Sequence, residues 1–378
     1  MRVLMICPEL PSDGRPGSMA PAARQFESLR TLGVELDVHD MRGLPLVKYL
    51  LALPRIRKLA RQVDVIHAHF GYCGWLAYLA TRLMRKRPPI VMSFMGDDLL
   101  GTPYNEGGDQ EWFSRVMVRC NQWLAQRLNK VIVKSREMAG VIADAHCTVV
   151  PNGVDVSRFS PVEQAAAREQ LGLDSQVVYI LFPGDANNPR KGFALASEAV
   201  QLAAEQLGHS IEILKLWGVR PDEVPLYMSA CDVMTMTSLI EGSPNVVKEA
   251  LAVDMAIVSV PVGDVHEILE GIEGCFCVSR NAHELAEAIV QAVGTSESNG
   301  REALLRKRLD LESVALQIIN IYRHAIENGD QEDGLARTAR SSDDAVQSAN
   351  HATAFRSDDS NSLNAQTESM SKESAEAN

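Results

Sequence analysis

The sequence predicts an α/β protein made of two facing Rossmann-like domains with a cleft between them, and three observations carry that expectation. Short apolar strands alternate with helical stretches along most of the chain. The alternation runs twice, once from "RVLMICP" (2–8) and again from "VVYILFPGD" (177–185). A chain of 378 residues with 46% hydrophobic content is long enough for two cores.

In the first series the opening strand leads into a Gly/Pro-rich loop, "ELPSDGRPGSMAP", and a helical stretch, "AARQFESLRTLG", that ends at Gly33. "VELDVHD" follows at once, which completes a strand–loop–helix–strand unit whose loop can approach a ligand at the carboxyl edge of the sheet. "VDVIHAH", "PIVMSFM", "KVIVKS" and "TVVPNG" read as further strands, with helices expected in "YCGWLAYLATRLMRK", over 111–128 and in "REMAGVIAD". The second series has strands in "SIEILKL", "DVMTMTS", "AIVSV" and "CFCV", and helices in "FALASEAVQLAAEQLG", "EVPLYMSAC", "VHEILEG", "NAHELAEAIVQAV" and from Pro244 onward. "PNGVDVSRFSPVEQAAAREQLGLD" reads as the linker. After "LESVALQIINIYRHAIE" (311–327) the composition turns to Ser, Asn, Asp, Glu and Ala. The tail 328–378 is therefore expected to be disordered, because it has too little apolar surface to offset its chain entropy.

The net charge of −12 is unevenly spread. Residues 1–160 hold 21 Lys and Arg against 15 Asp and Glu, a balance of +6; residues 161–378 hold 16 against 34, a balance of −18. A basic first half suits an anionic partner such as a membrane surface, a lipid-linked phosphate or a nucleic acid, and an ordinary solvated surface fits it equally well. The seven cysteines form no C-x-x-C pair, and the N-terminal residues lack the regions of a signal peptide, so a reducing, cytoplasmic setting is expected. The nearest approach to a membrane span, "PLVKYLLALPRIRKLA", is broken by Lys48, Pro54 and Arg55.

Loops that follow strands are where chemistry is sought in such a fold. Gly14, Gly17 and Ser18 precede a helix whose N-terminus could face an anion, although the loop matches neither G-x-G-x-x-G nor the Walker pattern and serves a structural reading as well. That mismatch argues against a nicotinamide enzyme. "FPGDANNPRKGF" sets Arg190 and Lys191 beside Gly192, either a diphosphate clamp or a solvated pair. "SFMGDDLLG" brings Gly96, Asp97 and Asp98 to the end of a strand, suited to a sugar hydroxyl, a divalent metal or an Asx turn. His67 and His69 project to one face of their strand without a third ligand at a telling spacing, which favours hydrogen-bonded histidines over a metal site. In "EGSPNVVKE", Ser243 reads as an N-cap and Pro244 as the first helical residue, with Glu241 ahead of the helix and Glu249 inside it. A phosphate can bind at the N–H groups of Asn245 and Val246 while a carboxylate takes two hydroxyls, or both glutamates are solvated charges.

Taken in order, "DVIHAH", "PNGVDVSRF", "KGF", "VPLYMSACDVMTMTSLIEGSPNVVKEALA" and "VGDVHEIL" resemble the family 4 retaining glycosyltransferases of the GT-B fold, over roughly residues 1–327. The resemblance implies an acceptor-side domain (1–160), a nucleotide-sugar-binding domain (161–310) and a helix (311–327) packing back toward the first domain. It implies a UDP- or GDP-sugar donor, no metal or cofactor, and a glycan or lipid-linked acceptor in bacterial surface or exported polysaccharide synthesis. An anionic membrane surface fits as a partner, at the inner face; nucleic acid does not. It assigns Glu241 to the transferred sugar, Glu249 to the ribose, Gly242, Ser243, Asn245 and Val246 to the diphosphate, and Lys191 with Arg190 to its charge. Gly17 and Gly96 would approach the donor from the first domain, with Asp97 beside the sugar. Two departures stand out: Met95 where many members have histidine, and Asp185 where many have arginine. Two alternatives stay open: a nucleotide-sugar epimerase of the same fold and, motivated by these departures, a non-catalytic sugar-nucleotide-binding scaffold.

Overall fold

Two all-parallel sheets organise the chain. The first contains β1 (Arg2–Cys7), β2 (Glu35–Asp40), β3 (Val65–His69), β4 (Ile90–Ser93), β5 (Lys130–Val133) and β6 (Cys147–Val149), in the spatial order β2-β1-β3-β4-β5-β6. The second contains β7 (Val178–Phe182), β8 (Ile211–Lys215), β9 (Val233–Met236), β10 (Ala256–Ser259) and β11 (Cys275–Cys277), in the order β11-β10-β9-β7-β8. The computed structural model describes residues 1–12, 18–44, 47–105, 107–142, 147–295 and 298–329, so Gly14, Gly17 and nearly all of the expected disordered tail lie outside the described residues. In each sheet the order reverses at the first strand, with β1 between β2 and β3 and β7 between β8 and β9. That reversal opens a crevice beyond the carboxyl ends of the strands.

Helices on both faces explain why inner strands such as β1, β4, β9 and β10 are buried along nearly their whole length, while the edge strands β2 and β8 carry charged residues and are only partly buried. The first sheet is followed or crossed by α1 (Ala20–Thr31), α2 (Val47–Leu59), α3 (Gly71–Thr81), α4 (Asp97–Leu100), α5 (Trp112–Ala125) and α6 (Arg136–Gly140). In β1, Val3, Met5 and Cys7 face Phe26 and Leu29 of α1, while Leu4 and Ile6 face Ile56, Cys73, Ala77 and Leu124 on the other side. Both sets are completely buried, as the two-residue period of a strand between two helical layers requires. The second half carries α7 (Gln164–Leu171), α8 (Phe193–Leu207), α9 (Val224–Ala230), α10 (Asn245–Ala252), α11 (Val265–Leu269), α12 (Ala282–Val293) and α13 (Gly300–Arg306) around its own core.

Residues 1–326 form one compact unit. Its last helix, beginning at residue 311, leaves the second sheet and packs Val314, Ile318 and Tyr322 against Val3, Met5 and Phe26 of the first. The outgoing and returning segments are tied together where Val154 pairs with Asp310 and the Leu311 N–H donates to the Val154 carbonyl at 3.0 Å. A Cβ on Gly153 would lie 2.8 Å from Leu311 Cα, so only glycine lets the two segments pass this closely.

Three helices depart from the pattern read in the sequence. Within the broken apolar run at 45–60, Val47–Leu59 form α2, which continues through Pro54 because Ala52 and Ile56 bury against the first core. The linker contains α7, held by Arg168, which donates to the Ala230 carbonyl at 2.9 Å and to Asp232 at 2.8 Å. The expected helix at 72–86 ends at Thr81, five residues short of Lys86. Among the described residues no helix is long and apolar enough to cross a membrane.

Candidate functional site

The loop after β9 and the start of α10 face the loop after β4 at the carboxyl edges of the two sheets, and the approach is close at the backbone. A Cβ on Gly242 would lie 2.7 Å from the Met95 carbonyl oxygen, and one on Gly263 would lie 2.6 Å from the Gly242 carbonyl. Gly96, at φ +147°, sits against the Gly242 nitrogen. Gly242 is thus the middle of a three-layer backbone stack, which places it at the seam between the halves rather than on an open wall.

The capping expected from "EGSPN" is replaced by another device. Helix α10 begins at Asn245 with Pro244 as its N-cap residue and without a side-chain cap. Ser243 is buried, and its hydroxyl oxygen accepts from the Lys248 ammonium at 2.6 Å, while the Ser243 carbonyl accepts from the same ammonium at 3.3 Å. Lys248 is wholly inaccessible to solvent; burial lowers its pKa against the pull of Asp264 and Glu249. A buried cation one turn into the helix therefore fixes the loop, taking the serine oxygen that would otherwise cap the helix.

A cleft cavity of about 480 Å³ opens beside this loop, bounded by Arg24, Lys191, Trp217, Glu241, Asn245 and Glu249 among others. Two ion pairs organise it. Lys191 donates to Glu241 at 2.6 Å within the second half, and Arg24 of α1 donates to Glu249 of α10 at 2.8 Å across the cleft. Burial pushes the Glu249 carboxyl up from the ordinary carboxylate value, opposed by Arg24, Lys248 and Arg158. Lys191 is held by its backbone: Asn188 caps the short turn over Pro189–Lys191 through the Arg190 N–H at 3.1 Å, and the Thr237 hydroxyl donates to the Lys191 and Gly192 carbonyls. Gly184, at φ +145°, lets the strand end run against the aliphatic stem of Lys191.

Of the residues expected at a site, Lys191, Glu241, Asn245, Val246 and Glu249 line this cavity. Arg190 turns instead toward Asp97, 3.8 Å away across the seam. Asp98 is a structural cap: it accepts the N–H groups of Met95 and Gly96 at 2.9 and 3.0 Å and that of Gly71 at 3.0 Å, and burial raises its pKa to about 7. Asp185 accepts from the Asn187 N–H at 2.9 Å, closing its own Asx turn. His67 bridges the Tyr322 hydroxyl at 2.6 Å and the Ser93 hydroxyl at 2.8 Å, tying the last helix to β3 and β4. His69 meets Phe26 edge-on and is lowered by burial to about 3, so both rings stay neutral.

Residues 3–158 match the model of Glycosyltransferase Family 4, and residues 177–295 match that of Glycosyl transferases group 1. The chain belongs to glycosyltransferase family 4. TuaC of Bacillus subtilis (strain 168), named as a glycosyltransferase of teichuronic acid biosynthesis, is 25% identical over 329 residues, 76% of this chain and 80% of TuaC. A D-inositol 3-phosphate glycosyltransferase of Mycobacterium sp. (strain JLS) is 23% identical over 64% of this chain and 61% of its own. Among solved structures, sucrose-phosphate synthase from Thermosynechococcus elongatus superposes with a TM-score of 0.66 at 17% identity, covering 86% of this chain and 99% of the other. HepE of Anabaena, solved with UDP, gives 0.61 at 18%, covering 85% and 99%. These structures establish the GT-B fold.

Within this family 4 glycosyltransferase the cavity residues that the sequence did not single out include Arg24, Arg158 and Trp217. Arg24 had a visible signal, since the helix after the first loop starts at the carboxyl edge of the sheet. Trp217 follows β8 and is 66% exposed, an uncommon setting for a large ring. Arg158 lies in the segment read as linker and reaches the cavity only through the crossing of the two halves.

Proposed function

We propose that the protein is a retaining hexosyltransferase that moves a sugar from UDP- or GDP-sugar to a glycan or lipid-linked acceptor in polysaccharide biosynthesis. The observation that carries this reading is the convergence of Glu241, Glu249, Lys191 and Arg24 as two ion pairs on one cleft cavity. A nucleotide sugar presents hydroxyls at both ends and a diphosphate between, and that sequence of groups fits carboxylate, cations, carboxylate. Glu249 takes the ribose hydroxyls and Glu241 the hydroxyls of the transferred sugar. Lys191, Arg24 and Arg158 share the diphosphate charge with the N–H groups of Asn245 and Val246 at the start of α10. Gly96, Gly242 and Ser243 shape the backbone behind that position, and Arg190 with Asp97 holds the two halves in register near the sugar.

The fit is to charge stabilisation without a metal: three cations and a helix N-terminus oppose the charge that develops on the leaving nucleoside diphosphate. Retention follows when the acceptor hydroxyl attacks from the face the diphosphate leaves. The C–O bond to phosphate breaks as the new glycosidic bond forms, and a leaving phosphate oxygen takes the acceptor proton. The protein then contributes orientation and electrostatics rather than a nucleophile. Support comes from relatives: TuaC is named for teichuronic acid biosynthesis, and HepE has been solved with UDP-glucose.

A panel of UDP-, GDP- and ADP-sugars tests the reading, first by protection against thermal unfolding and then by release of nucleoside diphosphate with membrane extract as acceptor. A donor that protects and is consumed only with acceptor, giving a product of unchanged anomeric configuration by NMR, is the expected result. Conversion of the donor sugar without acceptor identifies an epimerase; protection without release identifies a scaffold.

A further inference from the structure

We propose that Tyr104, Trp112 and Phe113 form an acceptor subsite at the cleft edge that receives an uncharged glycan chain. Its role toward an acceptor rests on the transferase reading above; the glycan-binding surface does not. Five aromatic side chains are exposed among the described residues, and these three fall within ten positions of one another, at 57%, 75% and 58% exposure. Exposed rings crowded on one short stretch mark a binding surface, whereas scattered single ones are ordinary on a monomer.

The stretch is fastened to the cleft edge by its own bonds. Pro103 and Gln110 pair as an antiparallel bridge, and the Tyr104 N–H donates to the Asp109 carbonyl at 2.9 Å. The Asn105 amide donates to the Asp109 carboxylate at 2.9 Å, and the Asp109 N–H donates back to the Asn105 side-chain oxygen at 3.0 Å. At the near end the Gln110 amide donates to the Leu100 carbonyl at 2.8 Å. The Thr102 N–H donates to the Ser114 hydroxyl at 3.0 Å, and the Thr102 hydroxyl donates to the Asp97 carboxylate at 3.5 Å. Asp97 stands opposite Arg190 of the second half. Thr102 alone thus links the seam to the first turn of α5, where the rings of Trp112 and Phe113 meet edge to face with centres 6.1 Å apart.

A pyranose ring has an apolar C–H face and a rim of hydroxyls, so it is held by an aromatic face beneath and by carboxylates or amides at its edge. Both kinds of group are present here. Asp97 and Asp109 keep acceptor capacity beyond the bonds they already make, because an ionised carboxylate accepts several.

Charge selects the class of glycan. Residues 97–114 contain five Asp or Glu and no Lys or Arg, in a first half whose balance is +6. Without the buried Asp98 the local balance is still −4. A negative island repels anionic headgroups, nucleic acid and uronic-acid chains alike, which leaves an uncharged sugar as the occupant that suits the rings. The neighbouring cleft calls for a chain that offers hydroxyls, which favours a sugar over a basic peptide.

The test is an array of neutral and uronic-acid-bearing oligosaccharides probed with the full chain, followed by calorimetric titration of the bound probes in the presence of UDP. Neutral oligosaccharides are expected to bind roughly tenfold more tightly than uronic-acid chains of the same linkage. A Trp112→Ala/Phe113→Ala variant should lose roughly tenfold of that affinity, while Trp112→Phe should stay within about threefold of the parent. Asp109→Asn/Glu111→Gln should narrow the preference for neutral chains to about threefold. All three variants should keep the melting temperature and UDP affinity of the parent. In turnover, the alanine variant should raise the acceptor KM about tenfold and leave the donor KM unchanged. Absence of neutral-glycan binding, tighter binding of uronic-acid chains, or variants that bind like the parent would overturn the proposal. So would a concentration-dependent dimer, or binding to phosphatidylglycerol vesicles, that is lost in the alanine variant while glycan binding is not. Glycan binding by a chain that binds no UDP would sink the transferase reading and leave the surface standing; donor turnover with the acceptor KM unmoved in the alanine variant would do the reverse.

Discussion

Arg24 and Glu249 meet at 2.8 Å across the cleft, the first from the helix that follows β1 and the second from α10, the helix that follows the Glu241 loop. Their side chains are only 17% and 14% exposed, so the pair is screened little by solvent. The contact joins the two halves at the point where the donor is proposed to bind, and it opposes the burial that raises the Glu249 carboxyl. Arg24→Ala should weaken UDP binding about tenfold, equivalent to about 1.4 kcal/mol. It should also make binding improve as pH rises, because the Glu249 carboxyl, already raised by burial, then loses its largest opposing charge. Calorimetric titration with UDP across pH checks both parts; tighter binding in the variant would show that the arginine competes with the ribose.

Gly242 is predicted to tolerate no side chain. A Cβ there would stand 2.7 Å from the Met95 carbonyl and 3.1 Å from the Met138 sulfur, and the first of these is backbone of the other half. Gly242→Ala should cost about 1–3 kcal/mol in denaturant unfolding through overpacking. It should lower turnover more than donor affinity, because it shifts the seam rather than the cavity wall.

Asp98 should prove structural. It satisfies three backbone N–H groups at the start of α3 and α4, and Asp98→Ala strands all three in a dry environment. About 2–4 kcal/mol of stability should be lost, readable by chemical denaturation. Asp97→Ala, on a partly exposed carboxylate 3.8 Å from Arg190, should leave stability nearly unchanged.

His69 gives the fold an acid limb. Its folded pKa is lowered by burial to about 3, so the unfolded chain takes up the proton first as pH falls. The stability it contributes is fully present above its unfolded pKa of about 6.5 and is lost progressively as pH drops from there toward 3. His69→Gln should flatten this limb: the difference between the two proteins should change by about 2 kcal/mol between pH 7 and pH 5, at 1.36 kcal/mol per pH unit. Asp98, raised in the folded state, titrates in the opposite sense, but it is common to both proteins and drops out of the comparison.

Much of the fold was legible because parallel strands buried on both faces leave uninterrupted apolar runs, and every strand expected from such a run is present. Lys191, Glu241 and Glu249 were legible for a related reason: strand ends and helix starts fix where side chains emerge. Contacts between the halves were not. Arg24 opposite Glu249, Arg190 opposite Asp97 and the layering of Gly96, Gly242 and Gly263 depend on how two separately folded sheets meet, which no local pattern encodes. Ser243 shows the same limit at short range. Its N-cap signal was sound, but a buried Lys248 five residues on claimed the hydroxyl, and burial is a tertiary fact.

The central claim, that one cavity holds a nucleotide sugar between two carboxylates with separate tasks, is tested most directly by donor binding and turnover in Glu249→Ala and Glu241→Ala side by side. Glu249→Ala should raise the Kd for the donor by about tenfold or more. Glu241→Ala should leave that Kd within about threefold and lower kcat by about a hundredfold. Equal, negligible effects of both substitutions on binding and on turnover would contradict the account.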